Sequence, residues 1–553
     1  MTNKELADLI FPNVLSDTEV YEKRYPERNL KEDAVVSRFA PSPTGFVHMG
    51  SLLSAFIESF VPKTTDGVFY LRIEDTDGKR SVENGINGII KDLKDFNIIP
   101  DEGMISEKES IGNYGPYIQS ERKEIYESYA KKLIEEGLAY PCFCTEKDLT
   151  IMREKQEHKK TRIGYYGNWA KCRNLTNEER AEKIKNGEKY IIRLKSPGNF
   201  EHKIILNDLV RGKIEMPEND IDVVLIKGDG LPIYHFAHAI DDHLMRTTHV
   251  LRGEEWISSY PIHTQLFNIL RFKEPKYGHL GLIMKIDETG ARRKLSKRKD
   301  PEAAVSYYHE KGIPIEAVKL YLLTIANSNF EAWLDANPNA SIYDFKFDFK
   351  KMSDSGSLFD VEKLLNISKN YISKLTAQEV YNNLEKYTEE YDKDFNKIIT
   401  SNKEYTTNIL NIEREQKKPR KDYASYSDIK NHIWYMFDEL FNSNNANYEF
   451  QKINDKEEIK NILNEYVINY YNEEDDKETW FNKIKQLCDK LNYASNMKDY
   501  KENPDQYKGN VADISTVIRV ALTTKCMTPD LYEIMKLLGK ERILKRITML
   551  NVD

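Results

Sequence analysis

Residues 34–60 read AVVSRFAPSPTGFVHMGSLLSAFIESF, and the order of residue types in this stretch decides the fold class. AVVSRF is β-prone and APSPTG is turn chemistry, while Leu52, Leu53, Phe56, Ile57 and Phe60 then fall on one helical stripe. The following VFYLRIED (68–75) alternates Phe69, Leu71 and Ile73 as a strand does. Strand, loop, helix and strand make a βαβ unit. A second set follows residue 220: DVVLI is a strand, GDG a turn, YHFAHAIDDHLM a helix, THVLRG a strand and ISSYPIHTQLFNIL a helix. Two such halves predict an α/β, Rossmann-like domain, with an open parallel sheet and ligands at the carboxyl ends of its strands.

A chain of 553 residues is too long for one core. The pattern predicts an N-terminal extension (1–33), a first catalytic half (34–116), an α/β insertion (117–216) and a second half reaching through KLSKR (217–350). An all-α domain (351–553) completes the chain. Within it, Thr528-Pro529-Asp530 reads as a helix start and Gly539 as its stop, around Leu531, Ile534, Met535 and Leu538. A net charge of -8 argues against a protein that coats nucleic acid nonspecifically. Two basic clusters stand out, RRKLSKRK (292–299) and KKPRK (417–421), and either alone would read as a solvated loop. No apolar run approaches a membrane span, and MTNKELADLIFPNVLSD lacks the order of a secretory signal. Five cysteines in so long a chain form no disulfide framework, so a reducing cytoplasm is expected.

Two segments carry chemistry. His48-Met-Gly50-Ser51 stands where a strand gives way to a helix, and a helix start offers free N–H groups to triphosphate oxygens. Gly50 permits close approach to the backbone, and His48 can donate to a phosphoryl oxygen. Lys294-Leu295-Ser296-Lys297-Arg298 supplies two lysines three apart on a loop able to close over phosphates and neutralise departing pyrophosphate.

Together these segments resemble the HIGH and KMSKS signatures of class I aminoacyl-tRNA synthetases. RFAPSPTGFVHMGS, LRIEDTD, YGPYIQSER, DDHLM, LRGEEW and KLSKRK resemble, in order, the strings of bacterial glutamyl-tRNA synthetases. The likeness is strong over 34–330 and returns at RVALTTKCMTPDLYEIMKLLGKERIL. It implies an ATP-dependent ligase that joins glutamate to tRNA(Glu) through a glutamyl adenylate, with Mg²⁺ assisting. By this resemblance Arg38 and Arg252 hold the γ-carboxylate, Glu74 pairs with the α-ammonium, and Ala40, Ser42, Tyr234 and His238 complete the glutamate pocket. His238 stands where familiar members have asparagine. ATP would meet Thr44, His48, Gly50 and Ser51 at the phosphates, Glu255 and Trp256 at the nucleoside, and Leu282 and Ile283 at the adenine. Lys294, Leu295, Ser296 and Lys297 would close over it, with His48, Lys294 and Lys297 assisting catalysis.

The insertion would then hold the acceptor end of the tRNA and the helical domain would read the anticodon, with Arg414 and Arg420, near Tyr423 and Tyr426, as candidates. An arginine at 252 favours glutamate over glutamine, whose neutral amide needs no buried cation. Two alternatives stay open: a form that also charges tRNA(Gln), and a noncatalytic tRNA-binding paralogue. Cys142-Phe-Cys144 with Cys172 forms either a zinc site completed by Tyr166 or His158, or a set of structural thiols, and no metal ligand is assigned. The expected protein is a monomer without membrane contact.

Overall fold

The computed structural model describes residues 1–43, 47–77, 82–296, 298–443 and 447–550. The chain forms two compact units, one of Met1–Tyr307 with Lys319–Asp360 and one of Tyr308–Val318 with Val361 onward.

In the first unit β1 (Val36–Phe39), β2 (Val68–Leu71) and β3 (Glu102–Met104) are parallel neighbours, and β4 (Ser110–Ile111) closes the edge antiparallel. The helix Met49–Thr64 makes the crossover from β1 to β2, and Leu52, Leu53, Phe56, Ile57 and Phe60 are all buried, as their spacing requires. The middle segment supplies β5 (Ala139–Cys142), β6 (Ile191–Leu194) and the hairpin of β7 (Lys203–Asp208) and β8 (Gly212–Pro217). After β9 (Val224–Ile226) and the helix Tyr234–Leu244 come the parallel pair β10 (His249–Gly253) and β11 (Lys276–Leu280). Thr248, just ahead of β10, joins the two halves by donating its backbone N–H to the carbonyl of Val36 at 2.9 Å.

Two pairings differ from the reading of the sequence. DVVLI is a strand, but as β9 it pairs antiparallel with β6 in the small β5–β6–β9 sheet rather than opening the second parallel half. The β7–β8 hairpin instead joins the parallel sheet beside β11. A short apolar run shows that a strand is buried without showing which sheet buries it.

Neighbouring acids on the helix Tyr234–Leu244 bind this unit together. Arg38 Nε lies 3.2 Å from both Asp242 oxygens, and Arg72 donates to Asp242 Oδ1 at 2.7 Å. Asp241 accepts from Arg122 at 2.6 Å, Gln119 at 2.9 Å and Tyr126 at 2.8 Å. All of these groups are buried, and the two arginines hold the Asp242 carboxyl well below the ordinary carboxylate range against the opposing cost of burial. The extension 1–33 is sewn to the same unit. Arg28 donates to Glu102 at 2.8 and 3.0 Å, and Lys131 donates to the carbonyls of Phe11 and Val14.

β12 (Ile283–Ile286), β13 (Arg292–Lys294) and β14 (Ser357–Leu358) form a last small sheet, and among the described residues no strand follows β14. The second unit is helical, with Leu531, Ile534, Met535 and Leu538 buried and the helix broken at Gly539, where φ is 75°. No helix of the described residues is long and apolar enough to cross a membrane.

Asp242→Asn removes the buried carboxylate that Arg38 and Arg72 share, leaving Glu74 on Arg72 and only the more distant Glu58 beside Arg38. The expected loss is about 3–5 kcal/mol of stability, read as a lower denaturant midpoint at unchanged m-value.

Candidate active site

A cavity of about 840 Å³ opens at the carboxyl ends of β1, β2, β10 and β11. β1 delivers Arg38, with Ala40 and Ser42 in the loop beyond it, and Glu74 follows β2. β10 delivers Arg252, the turn after it Glu255 and Trp256, and the segment after β11 Leu282 and Ile283. His48, Gly50 and Ser51 enter from the helix start, and Lys294, Leu295 and Ser296 from the end of β13. Thus residues as far apart as Arg38 and Ala303, 265 positions along the chain, share one cavity, whose walls are drawn from both halves. Thr44 and Lys297 lie outside the described residues.

At the helix start His48 is the N-cap: its Nδ1 accepts from the backbone N–H of Ser51 at 3.1 Å, which places the ring proton on Nε2. A Cβ at Gly50 would sit 3.1 Å from the His48 ring, so the glycine leaves the imidazole its place. His48 also bridges to Ala304, bringing the segment beyond the basic loop against the helix start. That loop is held by Asp300, which accepts from Arg293 at 2.6 and 2.7 Å and from the Ser296 backbone N–H at 2.9 Å.

Arg252 is set by a wall of histidines that the motifs did not reveal. Its Nε donates to His279 Nε2 at 2.9 Å, and its Nη1 lies 2.9 Å from His263 Nδ1. A guanidinium only donates, so both ring nitrogens must be acceptors. His279 therefore carries its proton on Nδ1, 2.6 Å from Asp208 Oδ2, and His263 on Nε2, 2.8 Å from His235 Nδ1. Tyr277 lies beneath, with the guanidinium 4.7 Å from its ring centroid. The buried Nη2 of Arg252 has no hydrogen-bond partner among the described residues. Nearby, Arg72 donates to Glu74 at 3.0 Å, and burial raises the Glu74 carboxyl above its ordinary value.

His238 does not line the cavity, and its place in the glutamate pocket is corrected. It is fully buried behind Tyr234, whose ring stacks on it at 5.5 Å, and its nitrogens lie 2.8 Å from Tyr277 Oη and 2.7 Å from Asp242. Tyr234 itself does line the cavity, 4.2 Å from the Trp256 ring.

In the second unit Arg414 is spent on structure. It is 7 % exposed and donates to the carbonyls of Leu410, Ile372 and Leu375 at 2.7–3.2 Å, so it satisfies helix ends rather than facing a base. Tyr423 and Tyr426 are buried, whereas Arg420 is partly exposed and paired with Asp422 and Glu413. A cavity of about 580 Å³ that sequence reasoning missed is lined by Trp480, Phe481, Lys477, Arg519, Asp530 and Leu531, among others. Its signal was present in the returning likeness that begins at Arg519.

The three thiols of the middle segment converge, with Cys142, Cys144 and Cys172 sulfurs all within 4.8 Å of one another. Tyr165 Oη lies 3.3 Å from both Cys142 and Cys144. Tyr166, considered from the sequence, instead donates to the Arg162 carbonyl at 2.7 Å.

Burial pushes His235 down to about 4 and His238 to about 3, and holds His263 well below its ordinary 6.5. The unfolded chain therefore binds protons that the native state refuses. The contribution of these histidines to stability is fully present above pH 6.5 and is lost as the pH falls toward 4. Denaturant unfolding at pH 7.5 and 5.0 is expected to show a lower midpoint at pH 5.0.

Residues 34–366 match the family described as tRNA synthetases class I (E and Q), catalytic domain, and 379–550 match an anticodon binding domain. The chain is 48 % identical over 548 residues to a glutamate–tRNA ligase of Clostridium perfringens, covering 99 % of this chain and all of that one. It is 49 % identical over 547 residues to a glutamate–tRNA ligase of Clostridium beijerinckii, at 99 % of both chains. A crystal structure of a glutamate tRNA ligase from Elizabethkingia meningosepticum in complex with its amino acid superposes with a TM-score of 0.74 at 26 % identity, over 94 % of this chain and 99 % of that chain. With both family regions in place and near-complete overlap with such relatives, the chain belongs to the glutamate–tRNA ligase family of class I aminoacyl-tRNA synthetases.

Proposed function

We propose that Arg38 and Arg252 hold the γ-carboxylate of glutamate while Glu74 receives the α-ammonium group, in an enzyme that uses ATP to charge tRNA(Glu). The observation that carries this reading is the meeting, in one cavity, of two guanidiniums and an acid beside a helix start and Lys294. Guanidinium donors suit a carboxylate, and the neutral wall behind Arg252 leaves its charge uncompensated for the ligand. ATP, entering with Mg²⁺, sets its phosphates against His48, Gly50, Ser51 and Lys294, with Lys297 three residues further along the sequence. Its nucleoside lies between Glu255, Trp256, Leu282 and Ile283.

The glutamate α-carboxylate attacks the α-phosphorus and pyrophosphate leaves. The 2′-hydroxyl of the terminal adenosine then attacks the adenylate carbonyl and AMP leaves. No protein nucleophile is needed, and catalysis is positioning and charge stabilisation. The middle segment holds the acceptor end. In the second unit the Trp480, Phe481 and Arg519 cavity suits single-stranded anticodon bases, which stack on aromatic rings and take hydrogen bonds from arginine. Arg420 stays a candidate there. The enzyme acts in the cytoplasm as a monomer.

We also propose that Cys142, Cys144, Cys172 and Tyr165 hold zinc. Sulfurs about 2.3 Å from a tetrahedral zinc lie roughly 3.8 Å apart, and the Cys144–Cys172 pair is 3.7 Å apart. Metal analysis of the purified protein is expected to find one zinc per chain, and a trace only would remove the site.

Charging with labelled glutamate, ATP and separate tRNA(Glu) and tRNA(Gln) transcripts tests the reaction. Glutamate on the first alone is the expected result, charging of both reveals the relaxed form, and charging of neither overturns the proposal. Arg252→Ala is expected to raise the KM for glutamate about 100-fold, the worth of a buried charge-assisted pair. The KM for ATP should stay within about threefold.

A further inference from the structure

The glutamate pocket contains an acid that the reading above does not use. Glu58, on the helix Met49–Thr64, lines the cavity and is 2 % exposed, and its Oε2 has no hydrogen-bond partner among the described residues. Its nearest cation is Arg38 Nη1 at 3.8 Å, too far for a hydrogen bond. Arg38 already has a counter-ion, because its Nε is shared between both oxygens of Asp242.

The charged groups that face Glu58 are Arg38 from β1, Asp242 from the helix Tyr234–Leu244 and Glu74 from beyond β2. Two acids and one base face it, from β1, the helix Tyr234–Leu244 and the segment after β2. Arg38 and Arg252 line the pocket with Glu74, and Arg72 and Asp242 stand buried behind them. That set is complementary to glutamate, which carries one net negative charge, only when Glu58 adds none. An ionised Glu58 would put a third carboxylate beside Arg38, where the γ-carboxylate must come.

We propose that Glu58 is a further glutamate-recognition residue, present in the complex as the neutral acid with its O–H donated to the γ-carboxylate. Binding of glutamate therefore takes up a proton whenever Glu58 is ionised in the free enzyme. Its orphan oxygen gains a partner in that complex, and no other buried acid of the cavity is required to change its state. Burial already pushes the Glu58 carboxyl up to about 8, against the opposing pull of Arg38, so the exchange falls in an accessible range.

The inference rests on Arg38 as a γ-carboxylate ligand, and the test separates the two. The KM for glutamate is measured from pH 6.5 to 9 at saturating ATP and tRNA, for the natural enzyme, Glu58→Gln and Arg38→Ala. In the natural enzyme the KM is expected to climb above pH 8, approaching tenfold per pH unit, while the glutamine variant shows no such climb and the KM for ATP does not follow it. The substrate's ammonium group titrates in both enzymes, so the difference between profiles isolates Glu58. Coincident profiles overturn the Glu58 proposal alone, provided Arg38→Ala raises the KM for glutamate. An unchanged KM in Arg38→Ala overturns the reading beneath it. Should Glu58→Gln fail to fold, calorimetry of glutamate binding to the natural enzyme at pH 8, in buffers of different ionisation enthalpy, decides the matter. About half a proton taken up is expected from a group with its midpoint there, and no uptake overturns the proposal.

Discussion

The hold of Asp242 on Arg38 and Arg72 is the interaction on which the rest of the catalytic unit depends. Asp242 comes from the second half of the chain and the arginines from the first, 204 and 170 residues away. Buried charges are tolerated only when their partners are close and well oriented. The pairing therefore fixes where the helix Tyr234–Leu244 lies against β1 and β2. Because Asp241 on the same helix binds Arg122, the segment after β4 is anchored by the same stroke. The cavity lies where these elements converge.

This arrangement divides the pocket into two kinds of cation. Arg38 is balanced from behind by a carboxylate. Arg252 is backed by neutral rings whose tautomers are imposed by the guanidinium itself, with Asp208 one ring further away. The histidines resist protonation because an added proton would meet both a dry environment and a fixed positive charge. Such a wall orients a guanidinium without cancelling it. That is the property an anion site needs, and it explains why so many imidazoles gather around one arginine.

The two units place opposite demands on arginine. In the first, arginines at strand ends keep donors for a ligand. In the second, Arg414 gives its Nε and Nη1 to helix carbonyls, while Arg519, which also caps the Thr528–Pro529 turn, lines a cavity with Trp480 and Phe481. Composition and local pattern cannot tell these uses apart, because each depends on which carbonyls the fold leaves without partners.

By itself the sequence determined the βαβ order, the apolar face of the first crossover helix and the helical character of the last two hundred residues. It also determined the segments that form the cavity: Arg38, His48, Glu74, Arg252 and Lys294 were legible because strand ends and helix starts are local features with local signatures. Tertiary structure alone decided that β9 leaves the parallel sheet, since burial is visible in an apolar run but the partner strand is not. It decided that His238 stands behind Tyr234 rather than in the pocket, and that Tyr165 rather than Tyr166 meets the thiols. It also brought Glu58 to Arg38, twenty residues apart along the chain. On its helix Glu58 reads as one polar residue near an apolar stripe. Only the packing of that helix over β1 turns it inward and buries its carboxyl beside Arg38.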